Sequence, residues 1–152
     1  MIPLEDLGRK ICIIGPSSGR KSTLVKALGE KLQVKVCHLD QLAHIPGTNW
    51  QLRNKELFRK DHAEFLKENR EWIIEGNYSF LMKERFTDAT VVIWLDFNVP
   101  GSILRYLLRT LKSSASHPGN LPGAEQQFSW QLIKYIVFKA PRNREKLRQA
   151  DL

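Results

Sequence analysis

No apolar run in the chain approaches the roughly 20 residues a helix needs to cross a bilayer, so no membrane-spanning helix is expected. Residues 1–9 also lack the pattern of a secretory signal, and the two absences together point to a cytoplasmic location. Cysteine is scarce. Cys12 and Cys37 are the only two, and their spacing forms no metal motif. Both fall in short apolar runs, where buried free thiols are expected. No internal repeat or low-complexity tract breaks the chain, and its 152 residues suit a single domain spanning 1–152.

Acidic residues are thin in the last third. Beyond Pro100 only Glu125, Glu145 and Asp151 oppose Arg105, Arg109, Lys112, Lys134, Lys139, Arg142, Arg144, Lys146 and Arg148. They account for much of the formal charge of +8. A basic surface of this kind suits polyphosphate ligands and equally suits nucleic acid, here through the C-terminal region. Hydrophobic content of 42% and charged content of 26% are otherwise those of a globular chain.

One stretch organises the rest. Lys10-Ile11-Cys12-Ile13-Ile14 is a short apolar run, followed by Gly15-Pro16-Ser17-Ser18-Gly19-Arg20-Lys21-Ser22-Thr23 and then by Leu24 to Leu32, whose apolar residues are spaced for one helical face. Strand, glycine-rich turn and a helix opening on Lys-Ser-Thr are the context of a phosphate-binding P-loop (Walker A), G-x-x-x-x-G-K-[ST]. Successive N–H groups of such a turn form a concave nest, and the helix N-terminus adds its unpaired donors. All nine residues from Gly15 to Thr23 are therefore candidates for nucleotide binding. Lys21 is placed to reach the β/γ-phosphates and Ser22 to hold Mg²⁺. Counted from Gly15, Arg20 stands where the pattern has its second glycine. A glycine there lets the backbone approach phosphate with no Cβ in the way. Arg20 either swings outward as an extra cationic contact or crowds the nucleotide, and Gly19 can supply part of the missing freedom.

The remaining chain alternates strands and helices. Lys35 to Asp40 reads as a second strand, Gln41 to Arg53 as a loop containing Trp50, and Asn54 to Asn69 as a helix capped by Asn54. Trp72 to Glu75 is a third strand ending in Gly76-Asn77-Tyr78, and a short helix spans about Phe80 to Phe86. Thr90 to Asp96 has the pattern of a buried fourth strand, and Gly101 to Lys112 that of a helix with Ile103, Leu104, Leu107, Leu108 and Leu111 on one face. Ser113 to Gly123 is a Ser/Pro/Gly-rich loop, Gln126 to Lys139 a further helix, and a basic helical tail runs from Arg142 to Gln149. No fifth core strand is legible. Continuous apolar strands alternating with helices predict an α/β fold: a parallel sheet covered on both faces, three layers in all. Ligands of such sheets sit beyond the carboxyl ends of the strands, which selects Asp40, Glu75 and Asp96.

Gly15 to Thr23, His38-Leu39-Asp40, Trp72-Ile73-Ile74-Glu75-Gly76-Asn77-Tyr78, Trp94-Leu95-Asp96-Phe97 and the pair Arg105 and Arg109 resemble the DNA topology modulation proteins, a branch of the adenylate-kinase-like P-loop kinases. The resemblance runs from Lys10 to about Pro141. It implies an ATP-binding, nucleoside- or nucleotide-kinase-like P-loop NTPase fold with a short lid over approximately 105–130. It also implies that Arg105 and Arg109, on the lid's leading helix, contact adenine and the transferring phosphates. Arg20 and the missing fifth strand depart from the family's pattern.

The expected function is transfer of the ATP γ-phosphate, with Mg²⁺, to a small nucleotide or hydroxyl acceptor. Lys21, Asp40, Arg105 and Arg109 are the catalytic candidates, Ser22 and Glu75 the metal candidates, and Asp40, Trp50 and Tyr78 the acceptor-side candidates. A nucleotide phosphate needs no base, so Asp40 would orient it or hold metal; a hydroxyl would use Asp40 as its base. His38 in an apolar strand is read as a hydrogen-bonded core histidine. The alternative is a catalytically weak fold that binds nucleotide or nucleic acid.

Overall fold

In the computed structural model, residues 3–16, 19–96, 99–111, 129–139 and 141–142 are described. Four parallel strands, β1 (Lys10–Ile14), β2 (Lys35–His38), β3 (Trp72–Glu75) and β4 (Val91–Trp94), form one sheet in the order β2-β3-β1-β4. The helices are α1 (Lys21–Leu32), α2 (Leu39–Ala43), α3 (Lys55–Glu68), α4 (Met82–Asp88), α5 (Val99–Leu111) and α6 (Trp130–Lys134), which continues as a π-helical turn, Tyr135–Lys139. The result is a small α/β domain whose parallel sheet is flanked by helices.

The two-residue period of the strands sorts their side chains between two apolar layers. Ile11, Ile13 and Ile73 pack with Val25 and the leucines Leu24, Leu28 and Leu32 of α1. Cys12, Cys37, Trp72 and Ile74 face the other way, onto Leu39, Phe58 and Leu81 of the segments around α2, α3 and α4. Asn54 caps α3 as the sequence suggests, its Oδ1 accepting from the N–H groups of Glu56 and Leu57.

Three elements differ from expectation. The second strand ends at His38, and Leu39–Ala43 is helical, so Asp40 lies in the first turn of α2. Leu39 is fully buried under Gly76, and seating it there turns the chain out of the sheet. The fourth strand, whose pattern reads as buried, is only half-buried throughout, because β4 closes the described order at the sheet's edge. On α5 the leucine stripe does not face the core. Ser102 and Tyr106 are buried, Leu104, Leu107 and Leu108 are exposed, and the Tyr106 hydroxyl accepts the N–H of Ser129 at 2.7 Å, drawing the start of α6 to that face. The lid loop, the segment 126–128 and the basic tail beyond Arg142 lie outside the described residues.

Cys12 and Cys37 are both free and buried. Each pairs in register with Ile74, from opposite sides of β3. They are thus two strand spacings apart, about 9.6 Å, and a disulfide needs Cα atoms within about 7 Å. Burial pushes both thiols up to about 12, against a partial lowering by the Arg85 charge. Only the thiolate is reactive. The native protein should therefore resist Ellman's reagent at neutral pH while the urea-unfolded chain reacts in full; rapid labelling of the folded protein would contradict this burial.

Candidate functional site

Beyond the carboxyl ends of β1, β2 and β3, one four-residue segment ties the strands together. Glu75, Gly76, Asn77 and Tyr78 each reach a different element.

Glu75 is the last residue of β3 and is buried. Its Oε1 accepts from Ser22 Oγ at 2.7 Å and from His38 Nδ1 at 2.6 Å. A carboxylate has no proton to give, so the His38 ring carries its proton on Nδ1. Burial raises the Glu75 pKa, but the hydrogen bonds from His38 and Ser22, with the charges of His38 and Lys21, outweigh it and hold the carboxyl below its ordinary value. Glu75 is therefore ionised. Its other oxygen, Oε2, is buried and has no hydrogen-bond partner among the described residues.

Gly76 has a φ of 138°, and a Cβ there would stand 2.9 Å from the Cβ of Leu39. Its carbonyl accepts from Nη2 of Arg85 at 2.7 Å. Arg85 is fully buried, and its Nε and Nη1 have no partner among the described residues. His62, equally buried, is lowered in pKa by that burial and then by the Arg85 charge, which outweigh the Glu84 carboxylate 3.5 Å away.

Asn77 braces the glycine-rich turn from the side. Its Oδ1 accepts from the N–H of Gly15 at 3.1 Å, and its Nδ2 donates to the Gly15 carbonyl. Gly15 has a φ of 149°, and a Cβ there would meet the Leu95 carbonyl oxygen at 2.5 Å, so only glycine fits.

Lys21 opens α1, and its Nζ donates back to the carbonyls of Gly15 at 3.1 Å and Pro16 at 2.9 Å. The ammonium thus lies across the base of the turn rather than out in solvent. Arg20, at the N-cap, has φ 58° and ψ 18°, the left-handed region, and offers α1 no side-chain cap. An arginine thus holds a left-handed backbone conformation that glycine adopts most readily. Ser17 and Ser18 lie outside the described residues; Gly19 donates its N–H to the Pro16 carbonyl at 3.2 Å.

Tyr78 donates its hydroxyl to Oδ1 of Asp40 at 2.8 Å. Burial, then the Asp40 charge, pushes the phenol upward, so it stays protonated and keeps donating. Its ring packs edge-on against Phe58 and Phe80. Asp40 itself is exposed. Trp50 is linked to this pair through His44. Its ring meets the edge of His44, whose Nδ1 lies 2.7 Å from the Asp40 carbonyl.

The structure therefore brings Lys21, Ser22, Glu75 and His38 together, with Asp40 and Tyr78 beside them. Arg105 lies on α5, its Nη2 donating to Ser102 Oγ at 3.4 Å. Arg109 belongs to α5 as well, but its side chain lies outside the described residues. Asp96 is exposed just beyond β4. Sequence reasoning assigned no task to Asn77 or Arg85. Asn77 follows a glycine at a strand end, which is a usable signal; Arg85 reads as one more charge on a surface helix.

Because the folded pKa of Glu75 lies below its ordinary 4.5, its stabilisation is whole above that pH and is lost as pH falls toward the folded value. Urea unfolding from about pH 6 down to about pH 3 should show the wild type losing stability more steeply than Glu75→Gln. Parallel acid limbs would mean that Glu75 is not held in its charged form.

Compared with known proteins, the chain matches no family model and no curated protein.

Proposed function

We propose that the turn from Gly15 to Thr23 binds the phosphates of ATP and that the protein is a P-loop phosphotransferase of the nucleotide-kinase type, related to the DNA topology modulation proteins it resembles. The observation that carries this reading is the Ser22–Glu75 contact at the mouth of the turn. The serine hydroxyl gives its proton to a buried, ionised carboxylate, so its lone pairs point outward, and the carboxylate keeps one oxygen unpartnered among the described residues.

These groups fit Mg²⁺. The ion prefers oxygen ligands, retains several waters and is usually held by one or two protein groups together with substrate phosphates. Among the described residues no cluster of three His, Cys, Asp or Glu side chains forms an all-protein cage. Ser22 would hold the ion directly and Glu75 through its hydration shell. When bound, it would neutralise charge on the β/γ-phosphates.

The chain's own groups do the rest. The N–H groups at the start of α1 lack a side-chain cap and face the phosphates with the positive end of the helix dipole. Lys21 adds a cation at the base of the turn, positioned by the two carbonyls it binds. Asn77 keeps Gly15 in place, so the cradle needs little reorganisation on binding. The lid arginines, Arg105 and Arg109, complete the site in this reading. Nucleic-acid binding through the basic C-terminal region is the alternative role.

Calorimetry with ATP and Mg²⁺ tests the proposal. Binding in the micromolar range, weakened at least about 100-fold by Lys21→Ala, is the expected result; this corresponds to about 2.7 kcal/mol. DNA binding with a steep salt dependence and no heat from ATP would instead favour the alternative.

A further inference from the structure

His38 has no part in the phosphate cradle, yet it touches the carboxylate on the metal side of the site. It is the last residue of β2 and stands in register with Glu75, the last residue of β3. Neighbouring strands lie about 4.8 Å apart, and the side chains of register partners leave the sheet on the same face. Here that face is the one α1 covers, since Glu75 follows Ile73 by two residues and Ile73 packs with Val25 of α1. The ring therefore meets the carboxylate side by side, Nδ1 to Oε1 at 2.6 Å, while Ser22 reaches the same oxygen from α1 at 2.7 Å. Both groups are well enclosed: the His38 side chain keeps 13% of its surface exposed and that of Glu75 8%.

The two donors act differently. A serine hydroxyl turns about its Cβ–Oγ bond and can redirect its proton to any nearby acceptor, a phosphate oxygen included. An imidazole N–H is fixed in the plane of its ring, so it points where the ring points. Holding Oε1 fixes the torsion about the Cγ–Cδ bond of Glu75, and with it the direction of Oε2. His38 thus sets the torsion, and the serine hydroxyl turns to the oxygen so presented. Residues behind a metal ligand orient it in this way, and their loss lowers metal affinity about 10- to 100-fold.

We infer that His38 is a positioning residue for Mg²⁺: it holds the Glu75 carboxylate, and through it the Ser22 hydroxyl, in the orientation that receives the ion with the nucleotide. This role rests on the phosphotransferase reading above and deepens it, with His38 behind the ligands rather than among them. It involves no proton transfer by His38. Ser22 gives its proton to Oε1 because the ring keeps Oε1 within reach, and its lone pairs point outward for the same reason.

Calorimetry of ATP binding, once with Mg²⁺ and once in EDTA, tests this role. A bond that merely joined the ends of β2 and β3 would matter equally in both media; a positioning bond matters only with the metal. Wild type should bind ATP more tightly with Mg²⁺ than without. His38→Phe, which keeps a ring and loses the donor, should weaken binding with Mg²⁺ about 10-fold or more while leaving the affinity in EDTA unchanged. His38→Asn carries an amide nitrogen on Cγ, where the ring has Nδ1, and should restore most of the loss. His38→Ala, a second variant without a donor, should behave as His38→Phe and replaces it if the larger ring prevents folding. Equal weakening in both media, unchanged binding with Mg²⁺, or a His38→Asn variant as weak as His38→Phe would overturn the inference and leave the ATP site standing, as would a wild type indifferent to Mg²⁺. A wild type that binds no ATP in either medium would overturn the parent reading, and this one with it.

Discussion

Everything at this end of the molecule depends on a buried negative charge. A carboxylate removed from water is costly unless hydrogen bonds replace its solvation. Glu75 obtains them from two separate elements, Ser22 at the start of α1 and His38 at the end of β2. Because both donors use the same oxygen, the group is at once anchored and left with an acceptor atom that has no partner among the described residues. That combination is poor for stability alone and useful for a ligand. It also ties α1, β2 and β3 to one another at the foot of the turn between β1 and α1.

The adjoining residues extend the same logic in sequence order. Gly76 must be glycine because Leu39 occupies the space beside it, and Leu39 is where the chain turns from β2 into α2. Asn77 reads the Gly15 peptide on both its N–H and its carbonyl, which ties β3 to the turn. Tyr78 ends the run on Asp40, outside the core. Four consecutive residues thus connect β3 to α1, β2, the glycine-rich turn and α2. The segment behaves as a junction, and displacing it would disturb the glycine-rich turn and the start of α2 together.

Behind the junction sits Arg85, a cation with no carboxylate beside it among the described partners. The Gly76 carbonyl and the face of Phe86, 5.6 Å away, are what it has, and burial depresses its pKa accordingly. A guanidinium keeps its proton even so. Its field reaches the two thiols and His62, lowering the former against burial and helping to keep the latter neutral. Two Arg85 nitrogens, Nε and Nη1, lack partners among the described residues, which makes the interior under the site electrostatically unusual for so small a domain.

How much was readable in advance follows from the range of each force. The strands, α1, α3 and its Asn54 cap were legible because side-chain periodicity and capping act over a few residues. The glycine-rich turn between β1 and α1 was legible for the same reason, as turn conformation is local. The edge position of β4, the exposed leucines of α5 and the helical turn at Asp40 were not, since each is decided by which distant segment covers which face. Glu75 could be selected from its strand-end position. Its pairing with His38 is a contact between residues 37 positions apart, and the burial of Arg85 is set by the whole core. The sequence by itself determined the alternation of elements and the place of the turn between β1 and α1; only the folded chain decided which charges face each other, because ion pairs and burial are properties of assembled surfaces rather than of neighbours along the backbone.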